Sequence, residues 1–426
     1  MKTHGRKIKH NMMQLTITAT LIVIAMVTAN ATAPGQPSAT DNRSVEGSPL
    51  MTIPVDSPAF VFSPGNWTGD DGRGGKIYRQ TWYPGAYFRF TWETTNQTSA
   101  VKLLLDIFTC TNKYSPPILA YNVDGFWNGN APCTNDISIT GIAKPGKHVL
   151  TVYFKTSPQQ ERWGVAGTSG LNVVRITGLQ VDAGSKPVAD VPESRWALII
   201  GDSITEGSGA TELDGYSHLV GQALQVMGYG YGISACGWSG WINKGDRPPG
   251  DVPGYYVIVN STNGIGGDYL DSASRWNKID ANHLLLDARG RISAYGSINQ
   301  EPSVIMINYG TNDSLHKSNP SDVQASITQC LAALRGAAPS AHIFFIIPFI
   351  QFKSKEIQTT VNAYRMAHPE DQRVSIIDLG PSVANARVNG YWGGLHPNAK
   401  GHATIAAKIL GHMIPALCRS APDKQD

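Results

Sequence analysis

Charge is scarce in this sequence. Asp, Glu, Lys and Arg make up 16% of its 426 residues, against about 25% in an ordinary soluble domain. With 41% hydrophobic residues, the balance is the reverse of the one that keeps a chain unfolded. The little charge present does not favour a polyanion. The formal net charge of +3 includes Lys2, Arg6, Lys7 and Lys9, which no neighbouring acid offsets; without those four the rest stands at about −1. Nothing in that balance argues for nucleic acid as a partner.

Long apolar runs are missing after the first thirty residues, so no later segment reaches the ~20 residues that a membrane helix needs. The exception is the leader, with a basic start and an apolar core from Leu15 to Ala29. Ala29-Asn-Ala31 then fits a signal-peptide cleavage site. Residues 1–31 are therefore expected to direct export to the periplasm or beyond the cell, with no stable membrane span after cleavage. Cysteine is also rare, five in all. In an exported chain, sequence position pairs Cys110 with Cys133 and Cys330 with Cys418, leaving Cys236 as a small buried apolar residue.

What is abundant is glycine and proline, 44 and 26 residues, spread over a chain long enough for two or three domains. Residues 32–50 lack periodicity and read as a flexible spacer. Residues 51–185 consist of short alternating runs such as Tyr87-Phe-Arg-Phe-Thr-Trp92 and Lys147-His-Val-Leu-Thr-Val-Tyr-Phe154. Turn signals such as Pro84-Gly85, Asp124-Gly125 and Pro145-Gly146 separate them. This is the pattern of an all-β sandwich or jelly roll.

From residue 193 to 420 the texture changes to strands alternating with helices. Buried strands are expected at Trp196 to Ile200, Tyr231 to Ala235, Ser303 to Asn308, His342 to Pro348 and Val374 to Leu379. Helices are expected near Asp214 to Met227, after Asn319-Pro320, from Lys355 to Met366 and after Pro397. Such alternation predicts an α/β domain, a parallel sheet between two layers of helices.

Four short blocks adjoin the ends of those strands: Gly201-Asp-Ser203, Ala235-Cys-Gly-Trp-Ser-Gly240, Asn308-Tyr-Gly-Thr-Asn-Asp313 and Gly394-Leu-His-Pro397. Each alone has an ordinary structural explanation: a helix cap at Ser203, a loop closure at Asn312, a helix entry at His396. In this order and spacing they carry the groups that ester cleavage needs, which are a nucleophile, a base and donors for an oxyanion. The stretch from about 195 to 415 resembles the GDSL, or SGNH, hydrolase superfamily, whose blocks supply Ser, Gly, Asn and His in that order. The resemblance implies a three-layer α/β/α domain with Ser203 as nucleophile and His396 as general base and then acid. It further implies an oxyanion hole from the N–H groups of Ser203 and Gly240 and the amide of Asn312, with Gly237 competing for the glycine role. No metal or organic cofactor is implied.

One position departs from the pattern. The superfamily commonly has an Asp three residues before the histidine, and here that residue is Gly393; Tyr391-Trp-Gly-Gly-Leu-His396 holds no acid. The sequence is similar in this respect to two-domain carbohydrate acetyl esterases of family two, which use a Ser-His dyad behind an N-terminal jelly roll. Trp238, Trp241 and Trp392 adjoin the blocks and are candidate platforms for sugar rings. The loop-rich excursion from Trp241 to Glu301, with Tyr255, Tyr256, Tyr269, Trp276 and Tyr295, is expected to shape the cleft. The reading is an esterase removing acetyl or other small acyl groups from a polysaccharide or glycan. Its alternatives are a carbohydrate-binding or acyl-transferring protein with a degenerate site, and a lipase or thioesterase of the same superfamily.

Overall fold

Two sheets built from period-two alternation precede one built from continuous apolar runs. The computed structural model describes residues 49–69, 77–95, 100–110, 113–142, 145–246, 252–259, 267–293, 301–381, 391–392 and 394–420. The expected signal peptide and most of the spacer lie outside the described residues.

Twelve strands form the first region: β1 Leu50–Pro54, β2 Phe60–Phe62, β3 Thr68–Gly69, β4 Arg79–Thr81, β5 Tyr87–Thr94, β6 Val101–Leu105, β7 Ile118–Val123, β8 Phe126–Pro132, β9 Asp136–Ile139, β10 Gly146–Thr156, β11 Val174–Asp182 and β12 Ser185–Pro187. They make two antiparallel sheets, ordered β3-β4-β11-β6-β9 with β1 beside β11, and β12-β5-β10-β7-β8 with β2 beside β5. The inner faces are dense in aromatic residues, with Phe60, Phe62, Trp67, Phe88, Phe90 and Trp92 all buried.

The second region is organised on a five-stranded parallel sheet. Its strands are β13 Arg195–Gly201, β14 Tyr229–Ala235, and, after the short strands β15 Ile258–Val259, β16 Asp268–Tyr269, β17 Lys278–Asp280 and β18 His283–Leu284, the strands β19 Val304–Asn308, β20 His342–Ile346 and β21 Val374–Ile377. The order is β14-β13-β19-β20-β21. The helices are α1 Ser203–Glu206, α2 Tyr216–Val226, α3 Thr311–Leu315, α4 Pro320–Ala337, α5 Ser354–Ala367 and α6 Ala399–Ser420. Both faces of the sheet are covered. Ala197, Ile199, Val304 and Met306 pack with Leu219, Ile405, Ile409 and Met413 of α2 and α6. Leu198, Ile200, Ile305 and Ile307 pack with Val323, Ile327 and Leu331 of α4 and Val361 of α5.

The two regions share a core. Trp82 Nε1 and Tyr83 Oη both donate to the carbonyl of Ile279, at 2.8 and 2.7 Å, so the excursion after β14 is stapled to the β domain. That corrects the expectation for its aromatic residues. Tyr255, Tyr256 and Trp276 are buried, Tyr255 against Trp241 and Tyr309 and Tyr256 against Tyr269 and Trp276; Tyr295 lies outside the described residues.

The expected Cys330–Cys418 bridge does not form. Cys330 is buried on the inner face of α4, whereas Cys418 is exposed in the last turn of α6. Cys133 is buried beside Cys110. Cys236 is buried as expected. No described helix is long and apolar enough to cross a membrane.

Candidate active site

Register fixes where three of the four blocks meet. Gly201 at the end of β13 lies opposite Ala235 of β14 and Asn308 of β19. The chain leaves all three strands at one edge of the sheet, so the segments starting at residues 202, 236 and 309 emerge side by side. Since β14 and β19 flank β13 on opposite sides, this edge is also the point where the strand order reverses, the place where open α/β sheets bind ligands.

Ser203 opens α1, and Asp202 caps it, its buried carboxylate accepting the N–H of Ile204 at 2.9 Å. Burial pushes the Asp202 carboxyl up to about 7, against the pull of the hydrogen bond from the Ile204 N–H. His396 arrives from the other end of the chain, in a two-residue strand, β23 His396–Pro397, paired with β22 Tyr391–Trp392. Ser203 Oγ and His396 Nε2 stand 2.9 Å apart. Burial lowers the imidazole pKa below its ordinary value, which keeps the ring neutral and able to take a proton. The backbone that carries the ring is held closely: a Cβ added at Gly209 would stand 2.7 Å from His396 Cβ and 2.4 Å from the Pro397 carbonyl oxygen. Among the described residues the bond to Ser203 is the ring's only hydrogen bond. Gly393 lies outside them.

The donors divide into open and engaged. Among the described residues no hydrogen bond takes up the backbone N–H of Ser203 or of Gly237. Gly240 does not offer the ready donor expected of it, because its N–H already donates to the carbonyl of Asn243 at 3.0 Å. Gly237 holds the open N–H. Asn312 donates one amide proton to the carbonyl of Ser239 at 2.9 Å, tying α3 to the 236–240 loop, and its second proton has no acceptor among the described residues.

Of the three tryptophans, Trp238 is 40% exposed and holds a left-handed backbone, φ 65°, with its ring 6.5 Å from that of His316. Trp241 is corrected from platform to core. It is 1% exposed and packed among Tyr255, Tyr309 and Phe345, so it has no face to offer a sugar. Trp392 pairs across the backbone with His396; its side chain is not among those described.

Sequence reading missed two supports. Asp313, wholly buried, accepts the N–H groups of Trp241 and Ile242 at 2.8 and 3.1 Å. It sits directly after Asn312, and its place in the block was the available signal. Arg162 comes from the β domain, between β10 and β11, and carried no signal at all. Its guanidinium bonds Glu206 of α1 at 2.7 Å and Asp246 at 2.6 Å. Gln159 from the same loop donates to Glu206 at 2.5 Å and packs on Gly237, where an added Cβ would stand 2.4 Å from its Nε2. Among the described residues no group of three or more His, Cys, Asp or Glu is placed to hold a metal ion.

Residues 199–404 match the GDSL-like Lipase/Acylhydrolase family. Similar solved structures include a family two carbohydrate esterase from Clostridium thermocellum in complex with cellohexaose, at 15% identity and TM-score 0.57, covering 84% of this chain and 99% of that one. An acetyl xylan esterase from the rumen bacterium Butyrivibrio proteoclasticus is similar at 14% identity and TM-score 0.60, covering 86% and 100%. A salicylyl-acyltransferase from a tetracycline biosynthetic pathway is similar at 14% identity and TM-score 0.53, covering 86% and 97%. No curated relative matches the sequence. Residues 199–404 thus match the GDSL-like lipase/acylhydrolase family model behind an N-terminal all-β region, and the fold is the one seen in family two carbohydrate esterases.

Proposed function

We propose that the protein is an exported serine esterase that removes acetyl or similarly small acyl groups from a glycan by a Ser-His mechanism. The observation that carries the reading is the 2.9 Å contact between Ser203 Oγ and His396 Nε2 at the ligand-binding edge of the sheet. His396 takes the Ser203 proton as Oγ attacks the acyl carbon, and returns it to the departing sugar alcohol. Water then attacks the acyl-enzyme with the same histidine as base. The oxyanion is met by the N–H of Ser203, the unused amide proton of Asn312 and the N–H of Gly237, or that of Gly240 once it releases Asn243. Each such donor is worth about 2.7 to 4 kcal/mol of barrier.

Two features support a dyad. Burial favours the neutral form of His396, and the close approach of Gly209 fixes the backbone and Cβ from which its ring projects. The exposed, strained Trp238 supports a sugar as the alcohol part, since backbone strain of this kind collects at ligand clamps. Acyl transfer to a second alcohol uses the same acyl-enzyme and is the second reading, favoured by the likeness to an acyltransferase. Acetate release from acetylated xylan, acetylated glucomannan and a small aryl acetate tests the proposal, with Ser203→Ala and His396→Ala as controls. The reading requires release to disappear in both variants; a folded Ser203→Ala protein as active as the parent would end it.

A further inference from the structure

The helix that opens with Ser203 has four residues, too few to stand by itself. Its far end is closed by Gly207, which takes a left-handed φ of 96°, and by Ser208, whose N–H donates to the Ser203 carbonyl at 2.9 Å. The same short segment reaches the base, because Gly209 closely approaches His396 Cβ and the Pro397 carbonyl. Residues 207–209 therefore touch both members of the dyad.

That segment is anchored by His402, in the first turn of α6. The ring is wholly buried, and both of its nitrogens are engaged. The N–H of Tyr216 donates to Nδ1 at 3.1 Å, and Nε2 stands 3.2 Å from the Ser208 carbonyl oxygen. These partners leave one tautomer. An amide N–H can only donate, so Nδ1 is bare; a carbonyl can only accept, so Nε2 carries the proton and donates it. Tyr216 opens α2, whose N-cap, Gly215, has no side chain to take that N–H, and the imidazole satisfies a helix-end donor that is otherwise orphaned. Tyr216 Oη and Ser217 Oγ in turn bond Thr205 of α1.

We propose that His402 is a positioning residue for the Ser-His pair: its Nε2–H, donated to the Ser208 carbonyl, sets the 207–209 segment that closes the serine turn and backs His396. The Nδ1 bond has a different task, joining α6 to α2. The inference rests on Ser203 and His396 acting as nucleophile and base, whatever the acyl group and its acceptor. A histidine that only braced the helices would contribute stability through either nitrogen. A positioning one makes the reactivity of Ser203 depend on Nε2.

The two bonds are separable by substitution. An Asn side chain ends near the place of Nδ1 and a Gln side chain near that of Nε2. His402→Asn thus keeps an acceptor for Tyr216, and His402→Gln keeps a donor to Ser208. Each variant loses one hydrogen bond, so both are expected to lose urea stability to a similar degree. Reactivity is expected to divide them. It is read as the rate at which an alkyl fluorophosphonate labels the full-length protein, Ser203 Oγ bonding phosphorus as fluoride leaves and His396 takes the proton. Labelling is expected to slow about 100-fold in His402→Asn, the scale of a catalytic group displaced by about 1 Å, and to stay within about tenfold of the parent in His402→Gln. Equal rates in the two variants, fast or slow, overturn the proposal, as does a parent that is not labelled. Should a variant not fold, proton–nitrogen correlation spectra of the parent at neutral pH still decide. They are expected to show His402 as the neutral Nε2–H tautomer, and an Nδ1–H tautomer or a cation overturns the assignment. Acetate release from a small aryl acetate judges the esterase reading separately: labelling in the expected order of variants without turnover ends that reading and supports the positioning role.

Discussion

Arg162 of the β domain meets Glu206, three residues past Ser203, at 2.7 Å with side chains 0% and 2% exposed. A second buried acid, Asp246, meets the same guanidinium at 2.6 Å. One side chain thus ties the serine turn and the loop after β14 to the β domain. Breaking a buried pair is expensive because the surviving charges stay desolvated, typically about 3–5 kcal/mol. Arg162→Met is therefore expected to lose stability on that scale in urea titrations. Arg162→Met with Glu206→Gln and Asp246→Asn, which removes the charges together, is expected to recover much of it. A single variant as stable as the parent would show the cluster to be energetically idle.

Asp202 gives a prediction with a definite sign. Its folded pKa is raised from 3.8 to about 7 by burial. Between those values the folded state holds a proton that the unfolded state has released, so stability falls as pH rises, by up to about 1.4 kcal/mol per pH unit. Asparagine keeps the N-cap acceptor and cannot ionise. Asp202→Asn is expected to be more stable than the parent at pH 8, with the gap closing toward pH 4. Paired urea titrations at the two pH values measure it, and a gap that widens on acidification contradicts the assignment.

The fold was legible where pattern and period agree. Continuous apolar runs at Trp196 to Ile200 and Ser303 to Asn308 became the adjacent strands β13 and β19, and the alternation of Tyr87 to Trp92 became β5. Ser203 and His396, 193 positions apart, could be singled out because each stands in a short block, Ser203 just past the end of β13 and His396 beside Pro397 ahead of α6. Trp241 was not legible. An indole beside a glycine-rich loop reads as a platform until the packing of Tyr255, Tyr309 and Phe345 around it is known. Arg162 was invisible for a different reason: its acids lie in the other domain, and no local period links residues 162, 206 and 246.

His396 sets the acid limb of activity. Burial lowers its pKa, so kcat/KM is expected to stay on its plateau to a pH below the ordinary histidine value of about 6.5 before falling with one proton. The same shift means that protonation favours the unfolded state, so this group's share of stability is lost as pH falls below that value. Buried His402, lowered to about 4, acts in the same sense. A pH–rate profile with a midpoint above 6.5 would require an acid near the imidazole that the described residues do not contain.

Asp313 separates support from bulk stability. Its carboxylate, wholly buried, gathers the N–H groups of Trp241 and Ile242, while Asn312 beside it holds the carbonyl of Ser239. Together they clamp both sides of Gly240. Asp313→Asn puts an amide NH2 where one of those N–H groups needs an acceptor, an expected cost of about 1–3 kcal/mol in stability. If the clamp also positions the oxyanion loop, kcat falls roughly 100-fold with little change in KM, since small displacements of catalytic donors are paid mainly in the transition state. Steady-state kinetics on a small aryl acetate, taken at a temperature where the variant is fully folded, decides between the roles. A destabilised variant with the parent's kcat assigns Asp313 to folding alone, whereas the expected loss in kcat assigns it to the geometry of the oxyanion site as well.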